Sequence, residues 1–164
     1  MRAALARLAL AEDRVSSVLF VCGRNAVRSP MARAIADQLF PGCFYTQSAG
    51  VLPGVRDPFV DAALAEIGLD LGNHRPHSLD DLDDLNFDLA VTLSPEAHHR
   101  TLELTRTQAI DVEYWPTADP TLATGSREQI LGAYRELRER LATRIRARLQ
   151  PVCRSSVHRA GAMG

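Results

Sequence analysis

Short apolar runs typical of strands alternate along this chain with segments of helical periodicity, and this alternation limits the possible folds more than any other feature. The predicted strands cover residues 17–21, 44–47, 87–93 and 109–114. The predicted helices cover residues 30–39, 58–67, 79–85, 95–105 and 127–149. Because alternating strands and helices form right-handed βαβ units, we predict an α/β fold, a small doubly wound four-stranded parallel sheet flanked by helices.

The 164 residues suffice for one domain of ordinary size. Residues 1–16 precede the first strand, and we predict that they form an N-terminal extension. The folded domain is predicted over residues 17–150, because its last helix carries apolar residues at steps of three and four and so presents one face to a core. Residues 151–164 have no periodicity and are predicted to be a disordered tail.

Composition narrows the classes of partner and compartment. The net charge of −1 creates no field that would attract nucleic acid or an anionic membrane, and no apolar run approaches the length of a membrane span. Three cysteines without a CxxC pair argue against a disulfide framework and against zinc. We therefore expect a cytoplasmic protein that uses no metal and no cofactor and contacts neither nucleic acid nor membrane.

The segment "VLFVCGRNAVRSPM" places Cys22 at the end of the first predicted strand, where doubly wound sheets bind their ligands. Arg28 follows six residues later, and Ser29 and Pro30 are predicted to cap and begin a helix. The spacing alone is weak evidence, since Cys153 and Arg159 repeat it in the tail. The strand before Cys22 and the helix after it carry the prediction.

A tight loop between a strand and a helix points successive N–H groups inward, and the helix adds the positive end of its dipole. We predict that this loop binds phosphate or a similar oxyanion through Gly23, Arg24, Asn25, Ala26, Val27 and Ser29. The same field favours thiolate over thiol, which makes Cys22 a candidate nucleophile rather than an inert buried cysteine. Arg28 is predicted to hold the phosphoryl oxygens in a two-point contact.

Two loop residues keep an alternative interpretation. Arg24 is equally well explained as a solvated cation, and Asn25 tolerates left-handed backbone, so a conformational role is favoured for it. Expulsion of an alcohol from a phosphate monoester also requires an acid. Asp119 in "WPTADPTLATG" follows the fourth strand and so lies at the same sheet edge as Cys22, although an aspartate that begins a turn before Pro120 is as good a reading of its position.

The order of "VLFVCGRNAVRSPMA", "SAG", "GLDLGNHRPHSL", "DLAVTLS" and "ADP" resembles the low-molecular-weight protein tyrosine phosphatases and the related thioredoxin-coupled arsenate reductases. The resemblance implies Cys22 as nucleophile, Arg28 as phosphate clamp, Ser29 as thiolate partner and Asp119 as general acid. It also implies that Ser48 and His74 support Asn25.

The sequence departs from the phosphatase pattern at several positions. Arg24 and Val27 replace a glycine and a cysteine of the loop, and Thr121 and Leu52 stand where aromatics would grip a phenyl ring. Ser94 and Thr101 replace the two further cysteines that the arsenate reductases use.

The leading hypothesis is a cysteine-dependent phosphomonoester hydrolase that forms a phosphocysteine and acts on a phosphorylated protein or a small phosphomonoester. Phosphate, sulfate or arsenate are the oxyanions it would bind. The alternatives are an arsenate reductase that uses an external thiol, and a phosphate-binding module without turnover.

Overall fold

The computed structural model describes residues 15–163, with side chains as far as Cys153. Residues 1–14 of the predicted extension lie outside the described residues. The last two residues of that extension belong to the domain, contrary to the prediction. Val15 is buried in the core, and the backbone N–H and the hydroxyl of Ser16 donate to Asp88 Oδ2 over 2.8 and 2.9 Å.

The sheet has four parallel strands, as predicted. They are β1 (Ser17–Cys22), β2 (Tyr45–Gly50), β3 (Leu89–Thr92) and β4 (Asp111–Tyr114), in the spatial order β2-β1-β3-β4. The register pairs Cys22 with Gly50 and Val21 with Thr92. The carboxyl ends of the three buried neighbouring strands therefore meet at one edge, and Cys22 lies at its centre.

Helices cover both faces of the sheet, which confirms the doubly wound α/β fold. They are α1 (Arg28–Leu39), α2 (Pro58–Ala65), α3 (Pro95–Thr105) and α4 (Arg127–Met163). Side chains alternate along β1, so Val18, Phe20 and Cys22 pack toward α1 and α4, while Leu19 and Val21 pack toward α3. Among the helices of residues 15–163, none combines the length and apolar character needed to cross a membrane.

The helix predicted at residues 79–85 is wrong, because only a 3-10 turn forms there, at Leu79–Asp81. The turn begins at a capping box, in which Asp81 Oδ2 accepts from the N–H and the hydroxyl of Ser78, but the backbone leaves the helical conformation at Leu82, where ψ is 139°. Asp84 Oδ1 then accepts from Asn86 N, a donor that a continuing helix would use.

The chain end differs most from prediction. Helix α4 continues past residue 149, where it was predicted to end. The predicted disordered tail from residue 151 is wrong at Val152, which is 4% exposed and packs in the core. Cys153 forms a disulfide with Cys43, with 5.4 Å between the Cα atoms and 110 residues between them in sequence. The sequence argument against a disulfide framework did not anticipate this single bond, because only the folded chain brings these two residues together.

Candidate active site

The loop after β1 is held by the side chain of Asn25, which is completely buried. Its backbone adopts φ 56°, a left-handed conformation that asparagine tolerates better than most residues. Its amide Nδ2 donates to Ser29 Oγ and to Ser48 Oγ, each over 2.9 Å. Its Oδ1 accepts from His77 N over 3.0 Å. The loop conformation thus depends on bonds to three separate segments.

His74 supports the same residue from the other side. Its Nε2 lies 3.0 Å from the carbonyl oxygen of Asn25, which can only accept, so Nε2 carries the hydrogen. Burial lowers the pKa of His74, while the bond to Asn25 opposes that shift. The structure thus brings both residues that the resemblance implies, Ser48 and His74, into contact with Asn25.

Cys22 lies at the floor of the loop and is 2% exposed. Its Sγ is 3.0 Å from Ser29 Oγ. Because Asn25 donates to the Ser29 oxygen, the Ser29 hydroxyl hydrogen remains to be given to sulfur or to Ala49 O, which is 3.2 Å away. Ser29 does not cap the helix as predicted, since α1 begins at Arg28, two residues before the predicted start, and its N-cap is Val27, which makes no side-chain cap bond.

Arg28 reaches across the site to the loop after β4, where its Nη1 donates to Thr117 O over 2.9 Å. It is half-buried, whereas Arg24 is exposed. The space above Cys22 is a pocket of about 330 Å³. Its lining residues are Cys22, Arg24, Ala26, Val27, Arg28, Gly54, Val55, Asp57, Asp119 and Thr121. Three separate segments therefore contribute charged side chains to one pocket.

The predicted site residues divide between the pocket and its support. Cys22, Arg28 and Asp119 line the pocket together. Asn25 and Ser29 are fully buried behind the loop, so their side chains shape the cradle. Gly23 lies beside α3, where a β-carbon on it would come within 2.7 Å of Glu96 Oε1.

The side chain of Asp119 both begins a turn and lines the pocket. Its Oδ1 accepts from the backbone N–H of Thr121 over 2.9 Å and from the Thr121 hydroxyl over 2.7 Å, so it begins the 3-10 turn Pro120–Leu122. The same side chain lines the pocket above Cys22. A turn residue is therefore held where an acid could meet a leaving group.

Asp57 lines the pocket but was not among the predicted site residues. Its Oδ1 does cap α2 through Phe59 N, and its Oδ2 accepts a 2.6 Å bond from the Tyr134 hydroxyl. Burial first, and then the bond to Asp57, raise the pKa of Tyr134 well above its ordinary value. No local signal could have joined residues 77 positions apart.

Gly50, the glycine of "SAG", is needed for the approach of β2 to the loop. A β-carbon on it would lie 2.7 Å from Asn25 N and 2.8 Å from the carbonyl carbon of Arg24. Both are backbone atoms of the loop after β1, so they cannot move without changing the shape of that loop. The motif was visible in the sequence, but the reason for it was not.

Known proteins resemble the chain over nearly its whole folded length. An arsenate reductase of Bacillus subtilis is 28% identical over 129 residues, which cover 79% of this chain and 91% of the relative. A solved structure of an arsenate reductase in the phosphate binding state has a TM-score of 0.66 at 25% identity, over 84% of this chain and 98% of that one.

A tyrosine phosphatase structure from Erwinia amylovora shares the fold, with a TM-score of 0.66 at 19% identity over 87% of this chain and 93% of its own. The sequence model of the family described as "Low molecular weight phosphotyrosine protein phosphatase" matches residues 17–157. Because this match spans the whole sheet, the loop after β1 and most of α4, the chain belongs to the low-molecular-weight phosphotyrosine protein phosphatase family.

Proposed function

We propose that this protein is a cysteine-dependent phosphomonoester hydrolase that acts through a phosphocysteine intermediate. The observation that carries the proposal is the shared pocket of Cys22, Arg28 and Asp119, a nucleophile, a guanidinium and a carboxyl group around one space. The substrate would be a phosphorylated protein or a small phosphomonoester. The cytoplasmic location expected from the sequence stays a prediction.

In the proposed reaction the loop amides and Arg28 bind the phosphoryl oxygens, and Cys22 Sγ attacks phosphorus in line with the leaving oxygen. The S–P bond forms as the P–O bond breaks, and Asp119 gives its proton to the leaving oxygen. Water then attacks the phosphocysteine, Asp119 takes a proton from it, and Cys22 leaves as thiolate. Ser29, at 3.0 Å from the sulfur, is suited to donate to that thiolate.

The rim of the pocket bears on the substrate class. Val55 lines the pocket and is 85% exposed, and Leu52 and Leu122, which stand close in sequence to the lining residues Gly54 and Thr121, are 58% and 78% exposed. Aliphatic groups offer contact area to a leaving group without the stacking that selects an aromatic ring. We therefore propose a broad preference among phosphomonoesters rather than selection of phosphotyrosine.

The test is hydrolysis of an aryl phosphate by the wild-type protein and by Cys22→Ser. We expect turnover by the wild type and none by the variant, and we expect both to bind inorganic phosphate, because the cradle consists mainly of backbone groups. Substantial turnover by Cys22→Ser would refute the nucleophile assignment.

Arsenate reduction is the second candidate, favoured by the arsenate reductases among the relatives. The internal relay of such enzymes has no cysteines here: Ser94 caps α3 by accepting from Ala97 N, and Thr101 is buried. Among the described cysteines only Cys22 is free. Reduction would therefore require two external thiols, which become a disulfide as arsenate becomes arsenite.

One assay separates the candidates. Arsenite formation from arsenate in the presence of glutathione, without hydrolysis of aryl phosphate, would favour the reductase. Phosphate binding without either reaction would favour a binding module that has lost turnover.

A further inference from the structure

We propose that the disulfide between Cys43 and Cys153 is a second site of thiol chemistry in this protein. Its reduction by a small dithiol releases the end of α4 from the sheet. We call this disulfide the clasp. It lies far from the pocket, because Cys43 precedes β2 at the amino-terminal edge of the sheet, whereas Cys22 lies at the carboxyl edge. The Cα separation of 5.4 Å is typical of protein disulfides.

The clasp fastens a helix end that contributes to the core. Leu149 and Val152 are buried with 0% and 4% exposure, and the side chains of Phe44 and both cysteines pack against the same core cluster. Phe44 also meets Phe40 edge-to-face, with 6.0 Å between the ring centroids. Undocking of this helix end would therefore expose apolar surface.

Pro151 lies inside α4, two residues before the clasp. A proline in a helix interior supplies no N–H for the bond to the residue four positions earlier, and its ring crowds that carbonyl. The helix therefore lacks the N–H donor of residue 151 immediately before Val152 and Cys153. Tertiary contacts add to the docking of this segment, and the clasp is the covalent one.

Both cysteines are partly exposed, so an external thiolate can reach a sulfur. The thiolate of a dithiol attacks one sulfur, the S–S bond breaks, and a mixed disulfide forms. The second thiol of the reagent then closes its own disulfide and releases the second protein thiol. Two electrons and two protons pass from the dithiol to the protein, and Cys22 takes no part because it is 2% exposed at the opposite sheet edge.

The experiment uses the full chain carrying Cys22→Ser, so that every remaining thiol belongs to the clasp. The unreduced, denatured protein should show no titratable thiol, and dithiothreitol should release two. Reduction should accelerate amide exchange at Val152 and Cys153 and lower Tm by about 10 °C, since the bond closes a loop of about 110 residues.

The matched control adds Cys43→Ser and Cys153→Ser to that protein. It should exchange and melt like the reduced form and should not respond to dithiothreitol. Two titratable thiols before any reductant is added would show that the clasp does not form. Equal exchange rates in the oxidised and reduced Cys22→Ser protein would show that the clasp does not hold the helix end, and either result overturns the proposal.

Discussion

The carboxyl group of Asp119 is shared between a turn and the pocket. Its Oδ1 is engaged by Thr121, so the proton proposed for the leaving group would be carried on Oδ2. An asparagine at this position keeps an oxygen that can begin the turn but has no acidic proton. The change Asp119→Asn therefore separates the chemical role from the conformational one.

We expect Asp119→Asn to lower the rate of alkyl phosphate hydrolysis by a factor of about 10² to 10⁴, which is the usual contribution of a general acid. The rate on activated aryl phosphates should fall much less. Steady-state rates on a series of leaving groups measure this. Asp111→Asn is the matched control, because Asp111 is an exposed residue at the start of β4 and should leave all rates unchanged. Equal losses on good and poor leaving groups would mean that Asp119 acts only in the turn.

Among the elements, β2 approaches the loop after β1 so closely at Gly50 that the backbone leaves no room for a side chain. The β-carbon of Gly50→Ala would press on Asn25 N and Arg24 C, both backbone atoms of the loop. Overpacking of this kind costs about 1–3 kcal/mol, and here the loop must move to relieve it.

We expect Gly50→Ala to reduce phosphate affinity and turnover by a factor of about 5 to 150, because each 1.4 kcal/mol corresponds to about a factor of ten. Calorimetric titration with phosphate and the aryl phosphate assay give the two values. Gly132→Ala is the control, since no atom outside its chain neighbours and the adjacent helix backbone lies within 4 Å of its added β-carbon. That helix substitution should raise stability by about 0.5–1 kcal/mol and leave binding intact. Normal phosphate affinity in Gly50→Ala would contradict the packing argument.

For the whole molecule, the docking of α2 on α4 should depend on pH through Glu66. Arg135 Nη2 and Arg138 Nη1 donate to its carboxylate over 2.7 and 2.8 Å. The hydrogen bonds from Arg135, and then from Arg138, lower the pKa of Glu66 from 4.5 to about 2. A lowered acid pKa stabilises the fold above the unfolded value, and this stabilisation is lost as the pH falls from 4.5 toward 2.

Glu66→Gln should melt below the wild type at pH 7, and the difference in Tm should close as the pH falls through that window. Thermal melts between pH 7 and pH 2 provide the measurement. Glu103→Gln is a control, because Glu103 pairs with His99 and Arg100 of its own helix and joins no separate elements. A Tm difference that stays constant to pH 2 would show that the Glu66 charge does not support the docking.

How far the sequence could be read depended on the range of each signal. Apolar periodicity and caps are local signals, so the four strands and most helices were predictable. The bonds between Ser126 and Gln129 at the start of α4 are a local capping box of this kind. The helix predicted at residues 79–85 is wrong beyond Asp81, because the backbone becomes extended at Leu82 and Asp84 accepts from the N–H of Asn86. The prediction of Ser29 as a helix cap is wrong because its hydroxyl group contacts Cys22 and Asn25 instead. Local propensity does not tell where these two partners lie.

The order of residues along the chain by itself determined the α/β fold and placed Cys22, Arg28 and Asp119 at one sheet edge, because parallel strands end on the same side. Only the tertiary structure decided the contacts between distant segments. Tyr134 donates a hydrogen bond to Asp57, and Gly50 leaves room for the loop after β1. Cys43 forms a disulfide with Cys153, 110 residues away in sequence. Such contacts arise from packing in three dimensions, which no periodicity or spacing in one chain segment encodes.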